Sequence, residues 1–142
     1  MQLNNSKATA IQFLGLAFLA ISVFTSCKKE DDDHQHDNDS TPPMVLISSP
    51  LASNTYNKGD TVRIFAKVSD ASLHELLVRI ENDSNRMEYF RYTPVVHDLT
   101  YYEVDTYWVN NVSSQVKASV IVTAEDHSSN VDSAMVKVTL KP

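Results

Sequence analysis

The 142-residue chain has a single cysteine and two glycines, and its formal charge is −6. One cysteine excludes a disulfide scaffold and any zinc site built from several thiolates. Two glycines, Gly15 and Gly59, cannot build a phosphate-cradling loop, and there is no Gly-x-Ser-x-Gly nucleophile elbow. A pI near 5.2 leaves no cationic stripe to displace phosphate counterions, which excludes nucleic acid as a partner. From Met44 onward no segment keeps a helical period. The length allows one domain.

What is present begins with residues 1–26. Lys7 precedes an uncharged stretch whose apolar heart runs from Ile11 to Phe24. A basic start, a short apolar stretch and small residues are the pattern of a secretory signal. The alternative, a membrane-spanning anchor, needs about 20 consecutive apolar residues, and Gln12 interrupts this one near its start. Phe24-Thr25-Ser26-Cys27 then resembles a lipobox, the processing site of bacterial lipoproteins. The resemblance implies cleavage before Cys27 and acylation of its thiol. At about 0.8 kcal/mol per buried CH₂, several acyl chains make such attachment effectively permanent. The following Lys28-Lys29-Glu30-Asp31-Asp32-Asp33 resembles the export signal of Bacteroidetes-type surface lipoproteins, which implies display on the outer face of the outer membrane.

From Cys27 to Pro43 the chain is acidic and nearly devoid of apolar residues, a composition that predicts a disordered tether. His34-Gln35-His36 within it is a weak metal-binding signal. Residues 44–142 read differently, because apolar residues recur at every second position. One face carries Val62, Ile64, Ala66 and Val68; another carries Val116, Ala118, Val120, Val122 and Ala124. The same period recurs at Leu76, Val78 and Ile80, at Tyr102, Val104 and Trp108, and at Ala134, Val136, Val138 and Leu140. Shorter strands are predicted over Met44–Ser48 and Arg86–Tyr92, with turn chemistry at Asn57-Lys58-Gly59-Asp60 and Asn82-Asp83-Ser84-Asn85. About seven alternating strands predict an all-β protein, an antiparallel sandwich of immunoglobulin type. A small OB-type barrel is the alternative, and it usually includes a helix.

Asp39-Ser40-Thr41-Pro42-Pro43 leading into Met44, Lys58-Gly59-Asp60-Thr61-Val62, and Val122-Thr123-Ala124-Glu125-Asp126 followed by Asn130 resemble the landmarks of bacterial Ig-like domains. From Asp39 to its end the chain is similar to a family of uncharacterised Bacteroidetes lipoproteins with one such domain. Fold resemblance alone carries no function.

The candidates for chemistry are few. His74, His97 and His127 are the histidines of the folded part, and Glu103 and Asp105 share a strand face opposite the apolar one. Two carboxylates on a wet face are solvated surface, so catalysis is not expected. Aromatic rings crowd two neighbouring strands, and Tyr89, Tyr101 and Tyr107 are the exposed candidates for stacking on a sugar. An Ig-type topology brings Asp39, Asp70 and Asp126 to one end of the domain, where hard oxygen ligands suit Ca²⁺. Each of these also reads as an aspartate capping a turn. Asp60-Thr61-Val62, Asp132-Ser133-Ala134 and, more loosely, Asp39-Ser40-Thr41 resemble bacterial O-glycosylation sequons, with Thr61, Ser133 and Ser40 as acceptors. Asn111-Val112-Ser113 is formally an N-glycosylation triplet, without meaning in most bacteria.

The expectation is therefore a non-catalytic, lipid-anchored surface module for adhesion, assembly or ligand presentation, with an unknown protein or glycan ligand and Ca²⁺ as the one cofactor candidate. The alternative is a glycan-binding accessory lipoprotein of a polysaccharide-uptake system. A small hydrolase would require a pocket holding His97 beside a carboxylate.

Overall fold

The computed structural model describes residues 39–142, so the signal expected over residues 1–26, the Cys27 of the expected lipobox, the expected export signal 28–33 and the pair His34 and His36 lie outside the described residues. The described chain forms eight strands: β1 (Met44–Ser49), β2 (Thr55–Tyr56), β3 (Thr61–Ser69), β4 (Leu73–Asn82), β5 (Glu88–Tyr92), β6 (Tyr101–Val109), β7 (Val116–Asp126) and β8 (Val131–Leu140). They make two sheets, ordered β1-β3-β6 and β2-β8-β7-β4-β5. There is no α-helix among the described residues. This is an immunoglobulin-like β-sandwich.

The alternation in sequence is the alternation in burial. Val62, Ile64, Ala66 and Val68 of β3 are all fully buried, and so are Val120, Val122 and Ala124 of β7. With Val104 of β6 beside Ala66 in one sheet and Leu76, Val78 and Ile80 of β4 beside the β7 residues in the other, they fill a single apolar core between the two sheets. Outward residues stay wet: Arg63 on β3 pairs bidentately with Asp105 on β6, at 2.9 and 2.8 Å. Asp105 thus belongs to an exposed ion pair. Glu103 accepts a hydrogen bond from the Tyr101 hydroxyl at 3.0 Å.

Two details differ from the alternation pattern. The short β2 adds an eighth strand, parallel to β8 through Thr55–Thr139 and Tyr56–Leu140. Two residues are too few to display a period, so only the tertiary pairing reveals it. The strand expected from Arg86 begins instead at Glu88, because Arg86 has φ 61° and belongs to the preceding turn. Its guanidinium reaches back to Glu81 at 2.7 Å.

The β4–β7 pair slips once in register: Leu73 faces Asp126, but Glu75 faces Glu125. His74 is therefore the extra residue of a bulge, a device that re-aims one side chain and locally ends regular pairing. Next to it the β5–β6 connection is tied down: Val96 is buried, Asp98 N donates to Leu73 O at 2.9 Å, and Leu73 N donates to Leu99 O at 2.8 Å.

Candidate functional site

Three carboxylates meet where β1 begins and where β3 and β7 end. Asp39, Asp70 and Asp126 each offer an oxygen, all within 4.8 Å of one another. Two oxygens on one Ca²⁺, bound at 2.3–2.6 Å, lie at most about 4.6–5.2 Å apart, so this spacing is compatible with a shared ion. Each aspartate also caps its own turn. The backbone N–H groups of Thr41, Ser72 and Ser128 donate to Asp39, Asp70 and Asp126 at 2.8, 2.8 and 2.7 Å. Capping and clustering coexist, because a carboxylate has about four lone-pair sites.

Asp126 is the buried member of the trio and the best held. Asn130 donates to it through its backbone N–H at 2.8 Å and its side-chain amide at 2.7 Å. Burial pushes the Asp126 pKa up, but the hydrogen bonds from Asn130 and Ser128 and the nearby His127 outweigh it and hold the carboxyl below the usual aspartate value. The same Asn130 amide donates to the Asp39 carbonyl at 2.9 Å, fastening the approach to β1 onto the β7–β8 turn.

Beside the carboxylates lie the three histidines. His74 on the β4 bulge, His97 on the β5–β6 connection and His127 just past β7 each offer a ring nitrogen, again within 4.8 Å of one another. The ring centroids are 4.5 to 5.3 Å apart. Asp98 is the cluster's carboxylate, 2.9 Å from His127 Nε2 and 3.6 Å from His97 Nε2. His97 thus stands beside a carboxylate, but on the surface and among imidazoles. In sequence the three rings are 23 and 30 residues apart, and nothing in that spacing marks a cluster. The one usable signal is that His74 opens one expected strand and His127 follows the end of another.

The aromatic candidates separate. Tyr101 and Tyr107 are exposed on the outer face of β6, the latter opposite Arg63. Tyr89 differs from the exposed ring the pattern suggests: it is half-buried and stacked on Trp108. It lines instead a cleft of about 330 Å³ at the opposite pole, with Asn82, Asn85, Asn111, Ser113 and Ser114. Ser40, Thr61 and Ser133 are all exposed.

The chain matches no protein-family model and no curated protein. Among solved structures it is similar to an engineered protein, with TM-score 0.50 and 13% identity over 70% of this chain. The chain spans about a fifth of that protein's length, 20%. It is also similar to the fibronectin(III)-like modules of CbhA from Clostridium thermocellum, with TM-score 0.44 and 17% identity, covering 69% of this chain and 96% of that one. At these identities the likeness to the first concerns the fold alone.

Proposed function

We propose that the protein is a non-catalytic Ig-like module, anchored to the outer membrane by acylated Cys27, displayed on the cell surface and acting in adhesion, assembly or ligand presentation. The observation that carries this reading is the build of the pole around Asp39. Asp39 is the first described residue ahead of β1, and Asn130 clamps it to the end of β7. A tethered module needs a firm root at that point. Within this reading Asp39, Asp70 and Asp126 take Ca²⁺, which stiffens the root.

The anchor is tested by labelling cells with radioactive palmitate and partitioning the extract in detergent. Label and detergent partitioning are expected in the native chain and lost in Cys27→Ala. Alanine at Glu30, Asp31, Asp32 and Asp33 is expected to abolish protease accessibility on whole cells. Recovery of the soluble, unlabelled chain with its first 26 residues intact would overturn the reading. Calcium is tested by melting temperature with and without chelator: the native chain shifts and Asp70→Asn does not.

A second reading, glycan recognition, is favoured by the cleft at the far pole. Amide and hydroxyl groups of Asn82, Asn85, Asn111 and Ser113 share it with the Tyr89 ring, the mixture that hydrogen-bonds and stacks on sugars. Trp108, the chain's single tryptophan, stacks on Tyr89 and so reports occupancy. Fluorescence unmoved by every polysaccharide, with a blank glycan array, would remove this reading.

A further inference from the structure

We propose that His74, His97 and His127, with Asp98, form a binding site for a divalent transition-metal ion of the zinc class, separate from the carboxylate trio. Imidazole nitrogen is the preferred donor of Zn²⁺ and its neighbours, whereas carboxylate and carbonyl oxygens suit Ca²⁺. The pole therefore presents two donor sets of different chemistry, joined through the adjacent residues Asp126 and His127 and through Ser72, which donates to Asp70 and accepts from the His127 N–H. The inference does not depend on the reading of the chain as a surface module.

The distances favour an ion. His74 Nδ1 and His97 Nδ1 are 3.3 Å apart, hydrogen-bonded ring to ring without an ion. In a tetrahedral site with Zn–N of 2.0–2.1 Å, neighbouring ligand nitrogens are separated by about 3.3–3.4 Å. The first edge of such a tetrahedron is thus already in place, and the remaining separations, up to 4.8 Å, close by rotation of the partly exposed His97 and His127 side chains. Asp98 supplies the anion. It accepts from His127 Nε2 at 2.9 Å, which orients that ring and offsets the charge of a bound cation, the arrangement in which metal-binding histidines are usually held.

The backbone is shaped to hold this cluster. His74 is aimed by a bulge that interrupts an otherwise regular strand pair. Asp98 sits at φ 63°, a left-handed conformation that aspartate adopts more readily than most residues with a side chain. It is kept there by its N–H bond to Leu73 and by the buried Val96 two residues before. His127 is set by its own N–H, which donates to Ser72 O at 3.2 Å. Three separate segments thus converge on one point, and an ion there would cross-link the start of β4, the β5–β6 connection and the β7–β8 turn.

The test is a titration of the full, untagged chain in detergent with zinc chloride, monitored by calorimetry and melting temperature. The chain carries His34→Ala and His36→Ala, which removes the His-x-His pair outside the cluster. One zinc per chain and a rise in melting temperature are expected. His97→Ala and His127→Ala, at exposed positions that leave the core intact, are expected to lose the binding. Asp98→Asn should weaken it by roughly 10–100-fold, the usual effect of removing an outer carboxylate. As a readout that needs no variant, Co²⁺ should acquire the intense visible absorption of a four-coordinate site. No binding at millimolar zinc, binding unchanged in the His97→Ala/His127→Ala chain, or zinc displaced one for one by calcium would each overturn the proposal.

Discussion

Tyr89 of β5 stacks on Trp108 of β6, with ring centroids 5.9 Å apart and planes 25° from parallel, and so closes one side of the sandwich between two different sheets. Asn82 Nδ2 donates to the Tyr89 hydroxyl at 3.0 Å and holds the ring in place. Tyr89→Phe is expected to cost about 1 kcal/mol, one hydrogen bond. Tyr89→Ala removes the stack and the buried ring together and is expected to cost ~2–4 kcal/mol. Urea unfolding followed by Trp108 fluorescence measures both, and native emission should shift to the red only in the alanine variant.

Asn110, buried behind the end of β6, is a knot between distant strands. Its amide donates to Tyr56 O at 3.0 Å and Lys141 O at 2.9 Å, while its Oδ1 accepts from Val112 N at 3.2 Å. Asn110→Ala strands these backbone groups and is expected to destabilise by ~2–4 kcal/mol. Asn110→Asp should be worse, since a carboxylate oxygen would then face two carbonyls. If equilibrium unfolding finds the aspartate variant as stable as the native chain, that account of Asn110 fails.

Acid stability should depend on Asp126. Its folded pKa is depressed, so on acidification the unfolded chain takes up the proton first. The stability this carboxylate contributes is complete well above the ordinary aspartate value of about 3.9 and is lost as pH falls through the folded value. Asp126→Asn, measured in chelator, is expected to flatten the fall of melting temperature below about pH 5. Some slope will remain, because the hydrogen bond and charge of Arg63 also hold Asp105 low.

Gly59 isolates a backbone effect. Its φ is +88°, and a methyl group there would meet nothing within 4 Å. Any loss in Gly59→Ala therefore measures left-handed strain rather than a clash, and about 1–2 kcal/mol is expected. Gly59→Asn should cost less, because asparagine tolerates this conformation better. Thermal unfolding of the pair orders them.

The parts of the fold legible in sequence are those set by neighbours along the chain. Val62, Ile64, Ala66 and Val68 could be assigned to one buried face because successive strand side chains must point to opposite sides. The carboxylate trio was legible too, since Asp39, Asp70 and Asp126 each sit at a strand boundary and the sandwich topology sends those boundaries to one pole. His74 was not, because a one-residue slip in the β4–β7 register takes it out of the alternation on which the reading rests. Tyr89 looked exposed for a related reason: parity says which face a ring is on, but not that a tryptophan from the other sheet stacks on it.

The order of residues was enough to settle that this is an all-strand sandwich with Val, Ile and Ala inside, because a period of two is a property of each segment alone. Which side chains meet at its ends depended on the folded arrangement. His74, His97 and His127 come together only when β4 pairs with β7 and when Val96 anchors the connection between them. Such a meeting is a consequence of long-range pairing and of one bulge, and no local pattern encodes either.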